Sequence, residues 1–198
     1  MHTLIFATNN ENKVAEIKSV VGNLYDILSL SEAGINIDIP EPYNTLAENA
    51  SEKTRVIHQL IKKDCFSEDT GLEVEALNGE PGVRSARYAG DDASSQANIE
   101  KLLFNLKEKN NREAKFRTVI SLILADQEYQ FEGACHGTIT HSQAGEKGFG
   151  YDSVFIPDGA SKTFAEMNMH EKNLFSHRKK ATQKLLAFLS QNWKKLSP

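Results

Sequence analysis

Phe116-Arg117-Thr118-Val119-Ile120-Ser121-Leu122-Ile123-Leu124-Ala125, then Asp126-Gln127-Glu128, then Tyr129-Gln130-Phe131-Glu132-Gly133-Ala134-Cys135-His136-Gly137-Thr138-Ile139, is the stretch that decides the fold. The first run is apolar on both faces, the pattern of a central strand covered on two sides. In the second, Tyr129, Phe131, Gly133, Cys135, Gly137 and Ile139 alternate with polar residues, so this strand has one wet face. Asp126-Gln127-Glu128 turns the chain between them. Strands joined so tightly run antiparallel. The same chain carries strand-then-helix patterns elsewhere, so its sheet is mixed and flanked by helices: α/β (mixed α+β), with a long central sheet.

Toward the N-terminus from the hairpin, Lys107 to Lys115 is a charged connection and the best candidate for a mobile surface loop. Before it, Ile99, Leu102, Leu103 and Leu106 mark a helix that Asp91 or Asp92 would start. A turn-rich loop, Gly79-Glu80-Pro81-Gly82, precedes Arg84, Arg87 and Tyr88. Further back lies Cys65-Phe66-Ser67-Glu68-Asp69-Thr70-Gly71-Leu72, which reads as a strand edge, a tight turn and a second extended segment. Two adjacent acids fit either a solvated turn or a site for a divalent cation and a water to be deprotonated. Thr45 with Glu48 has the spacing of a capping box, opening a helix that runs to about Lys63 and carries Lys53. Glu41 stands between Pro40 and Pro42, which hold it rigidly in a loop as either a metal ligand or a solvated acid.

At the start of the chain, Thr3 to Ala7 reads as a buried strand. The polar turn Thr8-Asn9-Asn10-Glu11-Asn12-Lys13 comes next, then a helix with Val14, Ile17, Val21 and Leu24 on one face. A helix start of this kind fits phosphate binding, with Lys13 in reach, or plain asparagine capping. Tyr25 to Leu30 is a second strand. Beyond the hairpin, Ala144 to Asp152 has three glycines, two aromatic faces in Phe149 and Tyr151, and an acceptor in Asp152. It fits a purine base or a glycine hairpin with packed aromatics. Lys172, His177 and Arg178 surround the start of the last helix, with Ser176 as its N-cap. They suit anions or carbonyl oxygens, although a lone histidine there is also an ordinary cap.

A chain of 198 residues is long enough for one substantial core, in a single lobe or in two. Its formal net charge of -4 disfavours bulk nucleic-acid binding but leaves room for a local basic pocket. Cys65 and Cys135 have neither metal nor disulfide-framework spacing, which reads as reduced thiols in the cytoplasm. Neither a secretory signal nor an apolar run near the ~20 residues of a membrane span is present, so no membrane association is expected.

Taken together, these strings resemble the non-standard purine nucleoside triphosphate pyrophosphatases, the Ham1 or RdgB-like inosine/xanthosine triphosphatases. The resemblance runs essentially end to end. It rests on Thr8 to Lys13, Thr45-Leu46-Ala47-Glu48-Asn49-Ala50, Glu68-Asp69-Thr70-Gly71-Leu72, Pro81-Gly82 with Ser85-Ala86-Arg87-Tyr88, Phe149-Gly150-Tyr151-Asp152, and Ser176-His177-Arg178, in the family's order. Two positions depart from it: Ser153 stands where many members have proline, and Glu68 where some have a second aspartate.

The resemblance implies one domain over 1–198, built as two lobes with a nucleotide cleft between them, and a homodimer. It also implies magnesium-dependent hydrolysis of ITP, dITP and XTP to the monophosphate and pyrophosphate, clearing deaminated purines from the nucleotide pool. Thr8, Asn9, Asn10, Glu11, Asn12, Lys13 and Lys53 would hold the triphosphate, and Thr70 would touch the substrate. Glu41 and Asp69 would bind Mg²⁺, with Asp69 also accepting the proton of the attacking water. Phe149, Gly150, Tyr151 and Asp152 would bracket the base, and Lys172, His177 and Arg178 would read its carbonyl edge. No residue sits in an obvious nucleophile arrangement, which favours direct attack by water. Two other readings stay open: a pyrophosphatase for other modified nucleotides, and a catalytically silent nucleotide-binding protein.

Overall fold

A computed structural model describes residues 3–192. In chain order its strands are β1 (Thr3–Phe6), β2 (Asp26–Ser29), β3 (Cys65–Val74), β4 (Pro81–Gly82), β5 (Glu113–Leu124), β6 (Gln127–Ile139) and β7 (Phe155–Pro157). Its helices are α1 (Glu11–Val21), α2 (Leu46–Ile61), α3 (Ser95–Asn105), α4 (Met169–Phe175) and α5 (His177–Asn192). The strands form one sheet in the order β2-β1-β3-β5-β6-β7, with β4 added on β3. It is mixed as expected: β1 runs parallel to β2 and β3, whereas β3 with β4 and β6 with β7 are antiparallel.

The chain divides into two compact units. The first comprises the chain up to Asp69, Thr118–Gly133 and the chain from Arg178; the second comprises Thr70–Arg117 and Ala134–His177. In the first, Phe6 and Phe66 stack with centroids 4.6 Å apart, among Val14, Ile17, Ile120 and Leu185. Ala181, Leu185 and Leu189 recur every fourth residue, so α5 lays one apolar stripe into this core. In the second unit, Phe116, Phe155 and Phe164 form an aromatic cluster beside Leu72, Ile99 and Leu102.

Helix ends obey local chemistry. The Asn10 side chain accepts the Lys13 N–H at 3.1 Å, capping α1, and Glu11 in its first turn favours the helix dipole. The Thr45 hydroxyl accepts the Glu48 N–H at 3.2 Å to cap α2.

Four local expectations are corrected. The hairpin turns at Ala125 and Asp126, both with positive φ (49 and 61), so Gln127 and Glu128 already belong to β6. Paired positive φ values give the two-residue turn whose twist suits strand pairing. Helix α3 begins at Ser95 rather than at the aspartates, because the Ser94 hydroxyl caps the Ala97 N–H at 3.1 Å. The connection before β5 ends at Arg112, since the strand starts at Glu113, and is anchored: buried Arg112 donates to the carbonyls of Ile139, Leu106 and Thr140 at 2.7, 3.0 and 2.7 Å. Finally, Glu68 to Gly71 do not turn. They lie inside an unbroken ten-residue strand. Gly71 is required there by close approach, since an added Cβ would lie 2.5 Å from the Gly82 carbonyl oxygen of β4.

Candidate active site

Because β3 continues through the acidic pair, its pleat sends Glu68 and Asp69 to opposite faces. Both carboxylates are buried.

On the Glu68 face, Arg178 at the start of α5 makes a two-pronged pair with the carboxylate, at 2.7 Å from Nε and 2.9 Å from its second terminal nitrogen. Lys13 of α1 adds a third contact at 3.2 Å. The other terminal nitrogen of Arg178 bonds Glu16, also buried on α1. Burial alone would raise the Glu68 pKa; Arg178 and Lys13 outweigh it and hold the carboxyl down to about 2. Arg178 itself, despite its burial, is pushed above the usual guanidinium range by Glu68 and Glu16.

Asp69 faces a different neighbourhood. Lys53, midway along α2, lies 3.2 Å from one of its oxygens and is shared with Glu41. Asn49, one turn earlier on α2, reaches the other oxygen at 3.5 Å. The same Asn49 clamps the loop after Glu41, accepting the Tyr43 N–H at 2.9 Å and donating to the Tyr43 carbonyl at 3.1 Å. Here burial, with Glu41 adding to it, outweighs Lys53 and Lys13, and the Asp69 pKa is raised. Lys53 would be lowered by burial but is raised by Asp69 and Glu41. Both ends of this pair move upward because one ammonium is divided between two carboxylates.

Such an arrangement suits a divalent cation. Among the described residues no group of three or more His, Cys, Asp or Glu is poised around a common point. Magnesium rarely needs one, since it binds through one or two carboxylates and takes its other ligands from phosphates and water. Glu41 and Asp69 are hard oxygen donors converging on one lysine, and the raised pKa of Asp69 records a charge that its surroundings under-compensate. The donor set fits the ion.

In the second unit, Asp152 and Lys172 form a pair at 2.6 Å, both buried. The same Asp152 oxygen accepts the Phe149 N–H at 3.0 Å, closing the loop. Gly148 is needed here, since an added Cβ would meet that oxygen at 2.1 Å, and its φ is +75°. The Lys172 ammonium lies 5.3 Å from the Phe149 ring centroid and 5.2 Å from that of Phe164. His177 is buried and stacks on Phe116 with centroids 4.7 Å apart.

The two aromatic residues expected to face the base are separated in character. Phe149 is half-buried, whereas Tyr151 belongs to the hydrophobic core. Asn9, Asn10, Glu11 and Asn12 are exposed around the start of α1, with Thr8, Lys13 and Thr70 half-buried. Thus Lys13, Glu68 and Arg178 come together, as do Glu41, Lys53 and Asp69, and as do Phe149, Asp152 and Lys172. Sequence reading missed Glu16 and Asn49. Glu16 falls between Val14 and Ile17 and reads as a solvated helix position; only the positively charged start of α5 hinted at a buried acid partner. Asn49 lay inside a quoted string but carried no chemical signal until its side chain was seen to hold both a loop and Asp69.

The sequence profile of the Ham1 family matches residues 4–188. A dITP/XTP pyrophosphatase of Christiangramia forsetii is 48% identical over 188 residues, covering 95% of this chain and 99% of that protein. Another from Porphyromonas gingivalis is 47% identical over 190 residues, covering 96% and 98%. Among solved structures, the Staphylococcus aureus Ham1 protein aligns with a TM-score of 0.86 at 39% identity, covering 96% of this chain and 99% of that one. A HAM1 protein from Coxiella burnetii aligns at 0.87 with 32% identity, covering 96% and 100%. Sequence and structure agree along nearly the whole length, and the chain belongs to the Ham1 family.

Proposed function

We propose that this chain hydrolyses non-standard purine nucleoside triphosphates, ITP, dITP and XTP, to the monophosphate and pyrophosphate. The observation that carries the reading is the buried Asp69, tethered by a Lys53 that it shares with the like-charged Glu41, its pKa raised by burial and by Glu41. Raising a carboxylate's pKa brings it closer to working pH and makes it a better proton acceptor. The names of the relatives, dITP/XTP pyrophosphatases, support the substrate class.

In this mechanism water attacks the α-phosphorus. An Asp69 oxygen takes its proton, the bond from the α-phosphorus to the bridging oxygen breaks, and pyrophosphate leaves. Lys13 and Lys53 balance the roughly four negative charges of a triphosphate, and the turn from Thr8 to Asn12 supplies N–H groups and side-chain donors to its oxygens. Glu41 and Asp69 would hold Mg²⁺, which supplies Lewis-acid neutralisation at the phosphate oxygens. Thr70 is assigned a substrate contact.

Phe149, Gly150, Tyr151 and Asp152 are assigned to the base, with Lys172, His177 and Arg178 on its oxygen-bearing edge. A lysine ammonium only donates, so it pairs with the 6-oxygen of hypoxanthine or xanthine and opposes the 6-amino group of adenine. A homodimer belongs to the same reading, as does a cytoplasmic setting, which the two buried thiols support.

Product analysis of ITP turnover tests the reaction. Pyrophosphate and the monophosphate are expected; orthophosphate with the diphosphate would overturn the reading. A side-by-side panel of purine and pyrimidine triphosphates, with and without magnesium, tests substrate class and metal together.

A further inference from the structure

Ser85 lies in the string Ser85-Ala86-Arg87-Tyr88, to which the mechanism gives no task. Its hydroxyl donates to the Gly82 carbonyl at 2.6 Å and accepts the Leu72 N–H of β3 at 2.9 Å. Its own carbonyl accepts the Tyr151 hydroxyl at 2.9 Å. One half-buried serine is therefore bonded to β3, to β4 and to the loop that carries Asp152.

Tyr151 is only 4% exposed, and its ring packs in the core. A buried phenol must place its hydroxyl on a partner, and here the partner is the Ser85 backbone. The loop around it has a permissive backbone, with φ of +75° at Gly148 and +60° at Gly150. Backbone bonds from the Asp152 N–H to Phe149 and from the Val154 N–H to Tyr151 shape the loop locally, and side-chain anchors tie it to its surroundings. Asp152, the very next residue, carries the pair with Lys172. The footing is tight as well, because Gly82 lies so close to β3 that residue 71 admits no side chain.

We propose that Ser85 and Tyr151 form a strut that fixes the loop 149–152 on β3, and that both are positioning residues for selection of the base. The proposal rests on the function given above, since it takes that loop to hold the base. Tyr151 acts through its hydroxyl, by seating Asp152 and Lys172, while its ring fills the core.

The test compares kcat/KM for ITP and for ATP in Tyr151→Phe, Ser85→Ala and Ser85→Thr, with melting temperatures measured in parallel. Tyr151→Phe keeps the ring and removes only the hydroxyl. Losing one buried hydrogen bond should lower the ITP-over-ATP ratio about tenfold, with the rise in KM for ITP exceeding the fall in kcat. Ser85→Ala, which keeps the carbonyl but loses the tie to Leu72, should lower the ratio less. Ser85→Thr, which retains a hydroxyl, should recover it. An unchanged ratio in both Tyr151→Phe and Ser85→Ala overturns the proposal, whether the melting temperature falls or holds. Orthophosphate release by the unaltered protein would instead overturn the reaction assignment, so the two failures are told apart.

Discussion

Glu68 and Asp69 are neighbours in the chain, and the two faces of β3 treat them in opposite ways. On one face an arginine grips Glu68 with two prongs, a lysine backs it, and the carboxyl is held down to about 2. On the other, Asp69 shares one lysine with Glu41 and its pKa rises. Burial is nearly equal, so burial alone does not set the outcome. The difference lies in how fully each negative charge is matched. On the first face the negative charge is fully matched. The second keeps an electrostatic deficit, and such deficits are where a cation or a proton can be taken up.

Exchanging each carboxylate for its amide sharpens that contrast. Asp69→Asn removes the proposed proton acceptor and should lower kcat for ITP by roughly 10³-fold, within the span typical of general bases. ITP binding should persist, and the melting temperature should hold or rise, since the buried charge was opposed by its surroundings. Kinetics with parallel calorimetry measures both; an unchanged kcat breaks the comparison. Glu68→Gln should do the reverse. It leaves Arg178 with Glu16 and a neutral amide, and breaking a buried pair from one side costs up to about 3–5 kcal/mol. A denaturant titration reads that loss.

The smallest effect is in pH. The Glu68 pKa is depressed from 4.5, so its contribution to stability is whole above that value and is lost as pH falls toward 2. Asp69 is raised from 3.8, so its ionisation costs stability as pH climbs through its folded value. Unfolding free energies across the acid range should therefore lose their steepest portion in Glu68→Gln and show a slightly steeper rise in Asp69→Asn. Identical curves for the two variants would erase the distinction between the faces.

Much of this was legible in the residues. The hairpin announced itself because one strand was apolar throughout and the other alternated strictly, and a short turn left one pairing direction. Charged residues at helix starts were legible for the same local reason. The continuity of β3 was not, because Glu-Asp-Thr-Gly has the composition of a turn; it is kept extended by pairing with partners remote in the chain and by the close seat of β4 on Gly71. Glu16 was hidden because a helix position facing a buried arginine looks like any solvated acid until α5 is laid against it. The tie from Arg112 to three carbonyls was lost among lysines, where charge suggested solvent and geometry supplied acceptors.

The unbroken run of β3 has a consequence for how this chain can vary. A residue inserted in a helix rotates the downstream side chains by about 100°, which a loop can absorb, whereas in a strand the rotation is a half-turn. One extra residue between Phe66 and Glu68 would turn the glutamate to the face of the shared lysine and the aspartate to the face of the arginine, each one place further along the strand. This strand should tolerate changes of spelling far better than changes of length.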